Sequence, residues 1–215
     1  MDVKRFLPLG GIAAVAVVLF AIAVLGGNTP DNDASGAQVS AYYDAHGARE
    51  IAAAFLLAAS APLLVIFGAS LAGALWPTEV ARRPISELVL LAGSALAAGA
   101  FVMVGLLTFA LVDIPAKSGA DALQALNVLD NDAWVAFNSG LGVMMLGAGG
   151  SLLARIRLYR RLGWVALALG IALFIPVVDF VALLLTGVWI LVTSVMLFRE
   201  RAEDRYAVAP RMASS

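Results

Sequence analysis

Asp113-Ile114-Pro115-Ala116-Lys117-Ser118-Gly119-Ala120-Asp121-Ala122-Leu123-Gln124-Ala125-Leu126-Asn127-Val128-Leu129-Asp130-Asn131-Asp132-Ala133-Trp134 is the longest polar interruption in an otherwise apolar second half. Leu123, Leu126 and Leu129 recur every third residue, with Asp121 and Gln124 between them, as in an amphipathic helix. A short helix is expected over residues 119–129, lying on a bilayer surface with the three leucines inward. Asp130-Asn131-Asp132 then reads as an acidic turn, with Asp132 capping the helix that follows and Trp134 anchoring it at the interface. Once this stretch is placed outside a membrane, the apolar runs on either side become spans that frame it.

Composition agrees. The chain has 215 residues, 62% hydrophobic and 13% charged, with a mean hydropathy of +0.94. Globular domains are about half apolar and a quarter charged, so this is a membrane-protein composition. A net charge of −1 offers no basic footprint, and no nucleic-acid partner is expected. The chain has no cysteine, so disulfides and thiolate metal sites are excluded. A single histidine, His46, excludes bis-histidine metal or haem ligation within one chain.

Six spans follow, at about residues 6–25, 50–76, 88–112, 133–154, 162–178 and 180–198, with a disordered tail over 206–215. The first run follows Lys4 and Arg5 but is too long, and ends too poorly, for a cleaved signal peptide. Ser35 with Gln38 three residues on forms a capping box, which predicts a second short outer helix from Gly36 to about His46. Pro62 is expected to kink the second span, and Trp76 with Pro77 to end it. Gly93, Gly99 and Gly105 in the third span, and Gly140, Gly142, Gly147, Gly149 and Gly150 in the fourth, invite close helix approach. Ser35-Gly36-Ala37 and Ser118-Gly119-Ala120 each follow a span and open an outer helix, the trace of a parallel duplication. The fold class is all-α: a six-helix membrane bundle with two short helices in its outer loops.

Charge sets the orientation. With the amino terminus inside, Lys4, Arg5, Arg82, Arg83, Arg155, Arg157, Arg160, Arg161, Arg199, Arg201, Arg205 and Arg211 are cytoplasmic, 12 of the 14 basic residues. Arg49 and Lys117 fall outside. The positive-inside bias therefore places both termini in the cytoplasm. Arg155, Arg157, Arg160 and Arg161 form a basic knot expected to grip anionic headgroups on the inner leaflet.

No acidic residue, basic residue or histidine falls in the middle third of any span, which argues against a proton-coupled pump or a charged filter. Ser60, Ser70, Ser94, Thr108, Ser139, Ser151, Thr186, Thr193 and Ser194 read as packing residues bonded to nearby carbonyls. The candidate ligand-binding residues lie at the outer face: Tyr42, His46, Arg49, Asp130, Asp132, Asn138 and Asp179. Their bland reading is a solvated acidic face with interface tyrosines. Asp130-Asn131-Asp132 offers oxygens suited to Ca²⁺ or Mg²⁺ but lacks the glycine and distal glutamate of an EF-hand loop, so no metal and no cofactor is expected. His46 and Glu50 stand four apart if the helix continues, yet Gly47 weakens that and no nucleophile accompanies them. No catalytic residue is assigned.

Ala41-Tyr42-Tyr43 with His46, Leu126-Asn127 through Trp134, and Arg161-Leu162-Gly163-Trp164 followed by Pro176 resemble a pattern in uncharacterised actinobacterial membrane proteins. The resemblance covers nearly the whole chain. It implies six helices and carries over no site residue. The Ala/Gly/Val/Leu-rich, lysine-poor composition also suits a high-GC actinobacterium, which makes a plasma-membrane location the expectation. Three function classes remain open: a non-enzymatic binding or accessory component, alone, as a homo-oligomer or with a membrane partner; a transporter of a small apolar or weakly charged molecule; and a membrane enzyme acting on a lipid or quinone.

Overall fold

Ser35 opens the longest helix by the expected reciprocal bonds. Its amide donates to Gln38 Oε1 at 2.8 Å, and its hydroxyl accepts from the Gln38 amide at 3.4 Å. The computed structural model describes residues 6–25, 28–75, 84–113, 119–155 and 159–212, which are helix and connecting turn with no strand among them. The elements are α1 (Gly10–Phe20), α2 (Gly36–Leu75), α3 (Ile85–Asp113), α4 (Ala120–Asp132), α5 (Trp134–Arg155), α6 (Arg160–Ala172) and α7 (Asp179–Met212). A 3₁₀ turn, Leu7–Leu9, leads into α1, and a π turn, Ala21–Leu25, extends it. Pro8 sits in that first turn, where no amide is needed.

The outer helix and second span are one element. Helix α2 runs unbroken through Gly47 and across Pro62 for 40 residues, about 60 Å, twice the ~30 Å hydrocarbon thickness. A lone glycine costs a helix only about 1 kcal/mol, and at Gly47 the Val112 side chain packs where a Cβ would stand. Among the described residues, Gly36–Leu75, Ile85–Asp113, Ala120–Ala154 and Asp179–Arg199 are long and apolar enough to cross a membrane, and Leu7–Ala23 is a shorter apolar helix. Their outward faces carry exposed Phe55, Leu96, Leu106, Leu184 and Val188.

Neighbouring helices run antiparallel, and glycines set their spacing. A Cβ at Gly93 of α3 would strike the Met144 backbone; at Gly140 and Gly147 of α5 it would strike Ala97 and Leu90 of α3. The opposite face of α5 meets α6 the same way, Gly142 against Gly170 and Phe174, Gly149 against Gly163 and Leu167. Small residues give backbones this approach, the main source of helix association in lipid. Gly99 does not share the role: nothing lies near it. Helix α1 threads between α2 and α7, with Gly11 against Phe67 and Ser194, and Phe6 packs on Phe198 with ring centres 6.1 Å apart. Phe6, just before α1, and Phe198 of α7 thus share one end of the bundle.

Three expectations change. Helix α6 stops at Ala172, and residues 173–178 form a turn, because Pro176 can donate no amide and biases Ile175 away from helix. Helix α7 continues to Met212, over part of the stretch expected to be disordered. Helix α4 packs its apolar face on protein: Leu123 joins Val39, Tyr43 and Leu111 in a small second core. Leu126 lies at its margin, but Leu129 is 56% exposed. At 3.6 residues per turn, the face of Leu123 recurs at Asn127 and Asp130, not at Leu129.

Gly36 opens α2 and Ala120 opens α4, and Gly36 packs directly against Ala120. Lys4, Arg5, Trp76, Pro77, Arg82, Arg83, Lys117, Ser118 and Arg157 lie outside the described residues.

Candidate functional site

Three helices bring polar groups together beneath the small second core. On α2, Tyr43 and Glu50 are seven residues apart and share a face; Thr108 lies one turn before Leu111 on α3; Asp130 lies two turns after Leu123 on α4. Each helix therefore offers an apolar group to the lid and an oxygen to the layer below it.

Glu50 is 4% exposed and is held from two sides. The Tyr42 hydroxyl donates to its Oε1 at 2.8 Å, and an Arg49 terminal nitrogen donates to the same oxygen at 3.1 Å. Arg49 also donates to the Tyr42 hydroxyl at 2.9 Å, closing a three-membered network. Burial requires such pairing, since an uncompensated carboxylate would be costly there.

Asp130 is treated differently. Its Oδ1 accepts from the Thr108 hydroxyl at 3.4 Å, and that hydroxyl also donates to the Val104 carbonyl at 3.1 Å. Burial pushes the Asp130 carboxyl up to about 6; the Thr108 bond pulls it down, and the Glu50 charge raises it further. Tyr43 is 1% exposed, and its hydroxyl has no hydrogen-bond partner. Burial, followed by the Asp130 and Glu50 charges, drives its ionisation well above the usual phenol range. A buried hydroxyl facing two carboxylates without a bond is the least satisfied group in this layer.

His46 serves its own helix. Its Nδ1 lies 2.9 Å from the Tyr42 carbonyl, and because a carbonyl only accepts, Nδ1 carries the proton. The ring stacks on Tyr42 at 4.6 Å. The helix does continue, yet His46 and Glu50 do not pair, because Tyr42 and Arg49 occupy the carboxylate.

The remaining candidates fall elsewhere. Asn138 Nδ2 donates to Asp179 Oδ2 at 3.3 Å, both buried, and Asp179 Oδ1 accepts the Phe180 amide at 2.8 Å at the start of α7. Asn138 Oδ1 is unpartnered. Asp132 is the last residue of α4, not the cap of α5: its Oδ1 accepts from Asn32 at 3.4 Å. The loop before α2 is bolted to α4 by Asn127, whose Nδ2 reaches the Pro30 and Asp31 carbonyls at 3.1 and 3.0 Å, and by Asn131, which reaches Pro30 and Asn32 at 2.9 Å each. Arg160 and Arg161 are exposed at the start of α6, near the end of α5 where Arg155 lies.

The structure thus joins Tyr42, Arg49 and Asp130, sets Asn138 with Asp179 apart from them, and leaves Asp132 on the surface. Sequence reasoning missed Tyr43, Glu50 and Thr108 as members. The signal was present for Glu50, which lies on the same helical face as Tyr43, had Gly47 not been read as a break. Among the described residues, no group of three or more histidine, aspartate or glutamate side chains comes together to hold a metal. Compared with protein-family models, curated proteins and solved structures, the chain matches none.

Proposed function

We propose that this is a plasma-membrane protein crossing the bilayer six times with both termini cytoplasmic, acting as a non-enzymatic binding or accessory component. In this reading α4 and the first turns of α2 stand outside the bilayer. The antiparallel order of the helices and the unequal split of basic residues between alternate loops of the sequence support this placement. The observation that carries the binding reading is the polar layer of Tyr42, Tyr43, Arg49, Glu50, Thr108 and Asp130 under an apolar lid. Such a layer is expensive to maintain for packing alone, and groups of this kind gather where a ligand is recognised. Arg155, Arg157, Arg160 and Arg161 contact anionic lipid at the opposite end.

Cysteine probes at Asp33 and Asp121 label from outside in this topology, and reporters fused after Arg83, Arg161 and Arg211 read cytoplasm. An inside location for Asp121 ends the six-span reading. A native mass spectrum of the purified protein tests the binding reading through the mass of any retained ligand or subunit.

A second reading, transport, draws on one observation. The inward face of α7 carries Asp179, Thr186, Thr193 and Ser194, all buried, and the three hydroxyls have no partner. Ligand-dependent flux in proteoliposomes decides for it.

A further inference from the structure

The oxygens around Asp130 carry a more specific assignment, which rests on the binding reading above. Arg49 is committed to Glu50 and Tyr42, so its charge compensates one carboxylate only. Asp130 meets the Thr108 hydroxyl and, among the described residues, no cationic side chain. The charged and titratable groups facing this layer are Tyr42, Tyr43, Arg49 and Glu50 from α2 and Asp130 from α4; α3 contributes neutral Thr108. With both carboxylates ionised, the layer carries one net negative charge. The independent sign of a ligand is Tyr43: it is almost wholly buried, its hydroxyl is unpartnered, and its ring packs with Leu111 and Leu123 where α2, α3 and α4 meet.

We propose that the oxygens of Tyr43, Glu50, Thr108 and Asp130 form a site for one monovalent cation. Size and charge both select against a divalent ion. Ca²⁺ takes about 6–8 oxygen ligands and Mg²⁺ an octahedron, with more negative charge than one net unit. A monovalent ion is satisfied by fewer oxygens and neutralises the layer. It also gives the Tyr43 oxygen a partner, which no side chain here does. Binding ties α4 to α2 and α3, so occupancy steadies the outer cap.

The test uses the full-length protein in detergent at pH 8. Radioactive sodium binding should saturate at one ion per chain. Potassium in excess should displace it. Replacing choline chloride with sodium chloride at equal ionic strength should raise the melting temperature by about 3 °C. Asp130→Asn should abolish the binding, Tyr43→Phe should weaken it about tenfold, and Asp179→Asn should leave it unchanged. Where Asp130→Asn does not fold, Tyr43→Phe decides. No saturable sodium binding by the parent protein, with equal melting in sodium and choline, overturns the proposal. In that case a retained ligand in the native mass spectrum still upholds the broader binding reading. Sodium binding untouched by Tyr43→Phe, or displaced by submillimolar calcium, overturns the assignment of these residues.

Discussion

The Tyr42 hydroxyl donates to Glu50 at 2.8 Å across two turns of α2, and Arg49 bonds to both residues. Each member satisfies the other two, so removing one should cost more than removing the network. Arg49→Met leaves the buried Glu50 without its counter-charge and should lower the melting temperature more than Glu50→Gln does. The double variant should melt above Arg49→Met. Strictly additive losses in this cycle would show that the charges are not coupled.

Asp130 predicts a pH dependence. The folded state keeps its proton to about 6, whereas an unperturbed carboxyl releases it near 3.8. Between those values the folded protein binds more protons than the unfolded chain, so stability falls as pH rises through this window. Asp130→Asn removes the penalty. In choline chloride the variant should melt above the parent at pH 8, with the gap closing toward pH 4.5. A gap that is constant with pH contradicts the assignment.

Helix packing predicts a contrast among glycines. Gly147 meets the Leu90 backbone, whereas Gly99 faces open space. Gly147→Ala should destabilise by about 1–3 kcal/mol through overpacking. Gly99→Ala should be neutral or stabilising by up to about 1 kcal/mol, because alanine favours the helix. Gly147→Leu should lower detergent stability more than Ala74→Leu, since Ala74 is only partly buried. Melting curves of the four variants check the ranking.

The all-helical fold and its long apolar helices were legible because composition and hydropathy are summed over many residues. What escaped depended on single positions. A period of three put Leu129 inward, whereas the true period turns it out and brings Asp130 in. Gly47 looked like a break because propensity is local, and the packing of Val112 against it is not. Thr108 looked like any hydroxyl bonded to its preceding turn, which it also is. Its second bond, to Asp130, joins residues 22 apart and has no signature along the chain.

The loop clamp separates two neighbouring asparagines and an aspartate. Asn127→Ala removes two bonds to the Pro30 and Asp31 carbonyls and should cost about 1–2 kcal/mol. Limited proteolysis in residues 28–35 should accelerate with it. Asp132→Asn should change stability by less than about 0.5 kcal/mol, because a carboxylate at a helix C-terminus gains nothing from the dipole. A larger loss would give Asp132 a role beyond its bond to Asn32.

Helix α2 carries Tyr42 and Glu50 near one end and Phe67 and Leu75 near the other, with no break in its backbone. Its 40 residues rise about 60 Å, with the polar layer near its first turns and Leu63, Ile66 and Phe67 against α1 further along. A tilt of roughly 5° about one end displaces the other by about 5 Å, as far as one helical turn rises. Under the proposed topology, a load on the polar layer would therefore reach the far side of the bilayer through α2 itself, with no relay of loosened contacts between the two.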